Sequence, residues 1–297
     1  MTQQKTGNWG RWGAEDERGA LNLLTPDVVK AASGAIKTGK VYSLSLPIQR
    51  EGIPLVGYRS APLRLTMLNT SDKAMFEAYG AKGTGANEDY YAMPSHTATH
   101  MDALCHVYHD DTIYNGFPAD SAKTHTGAER CGIEKARHIV GRAVLLDMAA
   151  YLRVERVEPP RIFTGADLLG CADSQGVEIR SGDILLIRTG WLQTFFEDPE
   201  RWNQGQPGIG KDACKLIAER DIAAVGADNI AVEAIPFDDN EFLAVHILLL
   251  RNLGVPLLEL LTLDEMAADK AYESLLVVAP LMVTGGMGSP INPIAIG

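Results

Sequence analysis

The sequence has little cysteine, and its four residues, Cys105, Cys131, Cys171 and Cys214, show no C-x-x-C spacing. This excludes a disulfide scaffold and a cysteine-rich structural zinc module, and it reads as reduced thiols in a cytoplasmic protein. Positive charge is also scarce, with 27 Lys and Arg against 38 Asp and Glu and a net charge of −11. Such a balance offers no electrostatic footprint for nucleic acid or for an anionic membrane. The longest apolar stretches, near Phe242–Leu250 and Leu275–Val283, are far too short to span a bilayer. The first residues, Met1 to Asn8, lack the apolar core of a signal peptide. No linker, charge block or repeat marks a boundary, so one domain over 1–297 is expected, with 1–24 as an N-terminal arm. Neither a dinucleotide-binding glycine fingerprint nor a G-x-S-x-G elbow occurs.

Histidine is rare too, seven in the chain, yet five of them (96, 100, 106, 109 and 125) fall within thirty residues. Residues 96–106 read H-T-A-T-H-M-D-A-L-C-H and gather His96, His100, Asp102 and His106. Imidazole and carboxylate together make the usual ligand set for Zn²⁺ and Mn²⁺. In a straight strand, four residues span about 13 Å, whereas ligand atoms on one ion lie roughly 3 Å apart. The backbone must therefore curl, and a curved loop or bent strand end fits best. Cys105, inside the motif, reads as a small packed residue rather than a ligand or nucleophile.

Elsewhere, apolar residues make up 46% of the chain, ample for a core. Thr25-Pro26 is a helix start leading into Val28–Ile36. Val41–Ile48, Leu63–Leu68, Val144–Met148, Ile184–Arg188, Ala223–Gly226, Pro256–Leu260 and Leu275–Val283 read as strands. Thr164–Ala172 and Gly210–Arg220 read as helices, and the stretch from Asn69 to Pro94 as a long loop suited to a lid. Alternating strands and helices indicate an α/β core. His246 and Glu259 are lone polar groups in apolar runs. Read alone, His246 is a satisfied core histidine, and Glu259 needs a partner such as Arg188 or Arg251. Gly226-Ala-Asp228-Asn229 reads as a turn. Trp9, Trp12 and Tyr58 suit either an aromatic pocket or an N-terminal arm packed on a partner subunit.

The pattern H-x-G-T-H-x-D-x-x-x-H is the signature of the cyclase family, which includes bacterial kynurenine formamidases and isatin hydrolases. This chain resembles it at His96, Thr99, His100, Asp102 and His106, with Ala98 where the family has glycine. Ser181–Trp191 looks like the family's central strand and turn, Trp9–Pro26 like the opening of its longer members, and Gly285–Pro290 like their ending. The resemblance implies an α/β fold in which a mixed sheet curls into a partial barrel with helices outside. It implies that His96, His100 and Asp102 hold a divalent metal, zinc or manganese, and that His106 is the catalytic histidine. His246 on a helix and Glu259 on the next strand would complete a two-metal site bridged by Asp102. His109 and His125 match no family ligand and are expected at the surface or pocket rim. The implied activity is hydrolysis of a non-peptide amide C–N bond, in an N-formyl or cyclic amide, by metal-activated water. The alternatives are a metal-dependent lactone hydrolase or a metal-binding member without turnover. The expected substrate is a small molecule, with no nucleic acid or membrane partner, and the expected assembly is a homodimer or homotetramer.

Overall fold

The computed structural model describes residues 7–297; Met1 to Thr6, the start of the expected arm, lie outside the described residues. A nine-stranded mixed sheet curls into a partial barrel with helices packed around it. In chain order its strands are β1 (Val41–Ser43), β4 (His100–Asp102), β5 (Ile139–Asp147), β6 (Ile184–Arg188), β7 (Ala224–Ala227), β8 (Leu257–Glu259), β9 (Glu273–Val278), β10 (Gly288–Pro290) and β11 (Ile294–Ile296). The order across the sheet is β1-β11-β9-β5-β6-β7-β8-β4-β10. The centre, β5 to β8, is parallel, and both flanks are antiparallel.

The central strands are near-continuous apolar runs because both their faces are covered. Ala143–Leu146 and Ile184–Ile187 are wholly buried. Helix α1 (Pro26–Ala32) starts at Thr25, whose hydroxyl accepts the Val28 N–H. Helix α3 (Gly165–Gln175) opens with a capping box between Thr164 and Asp167. Helix α4 (Lys211–Glu219) packs on α3. The strand expected over Leu275–Val283 stops at Val278, just before Ala279-Pro280, because proline has no N–H for the ladder. The strand expected over Val41–Ile48 ends at Ser43, beyond which Ser45 makes one isolated antiparallel bridge with Leu261.

The stretch from Asn69 to Pro94 is not a plain loop. It holds helix α2 (Lys73–Ala78) and strand β3 (Glu88–Ala92), which pairs antiparallel with β2 (Leu63–Leu68). Nearly every residue of this hairpin is exposed, including Leu65, Met67, Tyr90 and Tyr91. The stretch lacks apolar alternation because neither face is buried in this chain, so the strand signal is missing.

The N-terminal arm lies against its own chain. Trp9 Nε1, Asn8 N, Asn8 Nδ2 and Ala20 N donate to the carbonyls of Arg251, Asn252, Leu253 and Gly254 in turn. These carbonyls end a π-helical turn, Ile247–Leu253, that continues helix α5 (Ala244–His246). Helix ends leave such carbonyls unpaired, and here the arm takes their place as donor. Trp12 packs against the main core, whereas Tyr58 stands in solvent. No helix among the described residues is long and apolar enough to cross a membrane.

Candidate metal centre

Residues 95–99 form the expected bend, and β4 then carries His100 and Asp102 on one face. Ala98 takes φ +52°, the left-handed conformation that glycine adopts without strain, so the alanine keeps the family's turn. Its carbonyl accepts from His100 Nδ1 at 2.8 Å, which leaves Nε2 to face the site. Thr99 fastens the bend by donating its hydroxyl to the Leu260 carbonyl at 2.5 Å. The antiparallel register of β4 and β8 sets His100 opposite Glu259. On the other side β10 pairs with β4, and Gly288 lies under His96, where a β-carbon would stand 2.8 Å from Cδ2 of that imidazole. The ending Gly285–Pro290 thus makes room for a site residue. A turn after β4 brings His106 back, with its ring centroid 4.0 Å from that of His96.

The C-terminal pair converges on the same point. Glu259 Oε2 lies 3.0 Å from His100 Nε2, and Glu259 Oε1 3.4 Å from His246 Nε2. Asp102 reaches His96 Nε2 at 3.3 Å through Oδ1 and His246 Nε2 at 3.7 Å through Oδ2. Two donor sets result, His96-Asp102-His106 and His100-Asp102-Glu259, each with its ligand atoms within 4.8 Å of one another. Asp102 belongs to both. Neither Arg188 nor Arg251 partners Glu259: Arg188 pairs with Asp147 and Asp264, and Arg251 donates to Thr112 and His109.

The residues fit a cation. His96 Nε2, His100 Nε2, both Asp102 oxygens and Glu259 Oε1 are buried without a hydrogen-bond partner. Buried polar atoms are seldom left so, since each forgoes roughly 1–3 kcal/mol. Their spacing matches ligands on ions with bonds near 2 Å. Burial, then the neighbouring His106 and His100, pushes His96 down to about 2, so it is the neutral imidazole that a metal requires. Burial likewise lowers His106 and raises Asp102. Burial opposes charge on His246 too, but Glu233 and Glu259 outweigh it and hold it at about 10. Glu259, despite burial, stays well below the usual range because His100 and His246 flank it.

Glu233 escaped the sequence reading. Its carboxylate is buried and hydrogen-bonds His246 Nδ1, and it also accepts the Val245 and His246 N–H groups. This orients the ring so that Nε2 faces Asp102 and Glu259. The available signal was the one that marked Glu259, a lone acid in an apolar run, Ile230-Ala-Val-Glu-Ala-Ile235.

Other expectations resolve simply. The turn expected over 226–229 is not found as such: Gly226 and Ala227 are the last residues of β7, and just beyond them Asp228 accepts Thr189 N at 2.9 Å, Thr189 Oγ1 at 2.7 Å and Gly190 N at 2.7 Å, tying the ends of β6 and β7 together. Cys105 is buried and unpaired, and burial pushes its thiol up to about 12, as suits a packed residue. His109 and His125 are exposed. A second apolar cluster, Leu46, Ile53, Ala98, Trp191, Leu192, Trp202 and Leu260, abuts the motif, fringed by Leu55, Phe195 and Ile230.

Among solved structures, a crystal structure described as a novel cyclase matches with a TM-score of 0.90 and 35% identity, covering 99% of this chain and 98% of that one. Isatin hydrolase A from Labrenzia aggregata, bound to benzyl benzoate, shares the fold at TM-score 0.62 and 22% identity, covering 93% of this chain and 98% of that one. In sequence, the chain is 23% identical to the isatin hydrolase of Roseibium aggregatum over 73% of its own length and 78% of the relative's. The Cyclase family model matches residues 42–234, a span holding the whole His96–His106 motif as well as Glu233. On these matches and the sheet that carries the motif, the chain belongs to the Cyclase family.

Proposed function

We propose that this protein is a metal-dependent hydrolase of non-peptide amide C–N bonds in a small molecule, an N-formyl amide or a cyclic amide. The observation that carries the reading is the convergence of buried, unpartnered ligand atoms from His96, His100, Asp102 and Glu259. With His246, these residues hold the cation, zinc or manganese, both of which suit a histidine–carboxylate set. When bound, a divalent cation polarises an amide carbonyl and acidifies water beside it. His106 lies half-buried against His96, in the neutral form that burial favours. From there its ring nitrogen takes a proton from water and returns it to the departing nitrogen. Ala98 and Glu233 keep the ligand rings aimed by holding Nδ1 of His100 and His246.

Four buried, unpaired cysteines support a cytoplasmic setting. The exposed apolar hairpin supports assembly with further copies as a homodimer or homotetramer, since a lone two-stranded hairpin is marginal in water. The test is to load purified protein with zinc or manganese and offer N-formyl-kynurenine, isatin and a dienelactone. Turnover of either amide is expected. Turnover of the lactone alone would replace the amide reading, and metal binding without turnover of any of the three would remove the enzyme reading.

A further inference from the structure

Arg59 takes no part in the ligand set, yet it stands beside it. It ends a turn closed by its own N–H on the Val56 carbonyl at 2.8 Å. Its Nη1 donates to the backbone carbonyl of His96 at 3.1 Å, and the guanidinium is half-buried. Among the described residues no carboxylate lies within 4.0 Å of it. Arg142, Arg156 and Arg188 are paired with acids (Asp183 and Glu273, Glu197, Asp147 and Asp264), and the half-buried Arg251 spends its N–H groups on His109, Thr112 and Asn252. A guanidinium carries five N–H donors in a planar fork; here a single one is hydrogen-bonded to protein, and its carbon lies 5.6 Å from the centre of the exposed Tyr58 ring. Beside it, Leu55 and Val56 are half-buried, and Leu55 fringes the Trp191 cluster. The surroundings are thus a free cationic fork next to an apolar wall, in a protein whose net charge is −11.

Building on the hydrolase reading above, we propose that Arg59 selects the substrate: its free N–H groups hold a carboxylate carried by the substrate, whose apolar body lies toward Leu55 and the Trp191 cluster. The substrate class is therefore an amide that also bears a carboxylate away from the scissile bond. The bond geometry is that of a two-pronged guanidinium–carboxylate contact, which lysine cannot reproduce.

The test uses metal-loaded wild-type protein, Arg59→Gln and Arg59→Lys, with metal content measured on each. The matched substrates are N-formylanthranilate and its uncharged parent formanilide, and binding of anthranilate is followed by calorimetry. Wild type is expected to favour N-formylanthranilate. Arg59→Gln should lose roughly 10- to 100-fold in kcat/KM on that substrate, chiefly through KM, the usual worth of charged hydrogen bonds. Formanilide should change less than twofold, anthranilate binding should weaken at least tenfold, and Arg59→Lys should fall between. Failure to hydrolyse either amide, with anthranilate binding still dependent on Arg59, would discard the hydrolase reading and keep the anion site. Hydrolysis with a preference unchanged in Arg59→Gln would discard the anion site and keep the hydrolase. An equal fall on both substrates would put the guanidinium on the scissile oxygen and overturn the proposal, as would failure of wild type to bind anthranilate.

Discussion

Asp102 and Asp228 are both buried aspartates at the parallel centre or antiparallel flank of one sheet, yet their surroundings are opposite. Asp228 is surrounded by donors from Thr189 and Gly190, so its charge is satisfied by protein alone. Asp102 has no hydrogen-bond donor on either oxygen and faces ligand atoms of three other residues. The difference teaches how to read a buried acid. One that its own fold neutralises is structural, and one left open by the fold among imidazoles is built for a cation.

Substituting each aspartate in turn tests that comparison most severely. Asp102→Ala should abolish tight divalent-cation binding and all activity, while the metal-free protein loses little stability. Asp228→Ala should instead strand the Thr189 and Gly190 N–H groups, costing roughly 3 kcal/mol or more in unfolding free energy, with metal content per folded molecule unchanged. Elemental analysis and urea unfolding on the same samples read both effects. Comparable loss of metal in the two variants would erase the distinction.

The next largest effect is expected at His106, which sits in a donor set with His96 and Asp102. His106→Ala should retain metal and lose roughly 10²- to 10⁴-fold in kcat, the range for a general acid–base. If the metal leaves with the imidazole, His106 is a ligand instead.

Glu233 sharpens the contrast from outside the ligand set. Glu233→Gln keeps the shape of the side chain but weakens the hold on His246 Nδ1. Cation affinity should fall about 10- to 100-fold with the fold intact, measured by competition with a chelating dye. Unchanged affinity would make Glu233 a packing residue.

The smallest expected effect is in the pH dependence. Burial pushes Asp228 up to about 6, against roughly 3.9 in an unfolded chain. Between these values the folded protein keeps a proton that the unfolded chain has released. This group's contribution is therefore full below about pH 4 and falls as pH rises through 6, by on the order of 1–3 kcal/mol. Asp228→Asn should remove that slope from unfolding free energies measured between pH 4 and 7. An unaltered slope would show that Asp228 stays charged throughout.

What the sequence disclosed tracks how local each feature is. The His96–Asp102–His106 cluster is contained in eleven positions, and the need for a bend follows from strand dimensions alone. The apolar runs of Ile184–Arg188 and Val144–Met148 marked central strands correctly, because double burial leaves an unbroken apolar string. Glu259 reached the site only through strand register, and the family resemblance rather than periodicity pointed there. Glu233 carried the same local mark, a lone acid in an apolar run, but nothing in the run shows that it turns toward His246; Arg59 was missed because its contact is with the backbone of His96, 37 residues on, which leaves no local pattern. The hairpin of 63–92 was half read, since only Leu63–Leu68 has strand chemistry and its mate Glu88–Ala92 opens with two acids. The π-helical turn after His246 has no signature in Ile-Leu-Leu-Leu-Arg-Asn-Leu.

The arm that caps Arg251–Gly254 has a consequence for how the protein is made. Asn8 emerges from the ribosome early, and its acceptor, Leu253, follows 245 residues later. At roughly 5–20 residues per second, the arm waits some tens of seconds without its partner. The contact is among the longest-range in the chain, so it forms late and its loop-closure cost is met only once the helix bearing His246 exists. The start of the chain is therefore fastened late, with only the closing strands, Glu273–Val278, Gly288–Pro290 and Ile294–Ile296, still to follow. A ribosome stalled before Arg251 would hold a chain whose first segment has nowhere to bind.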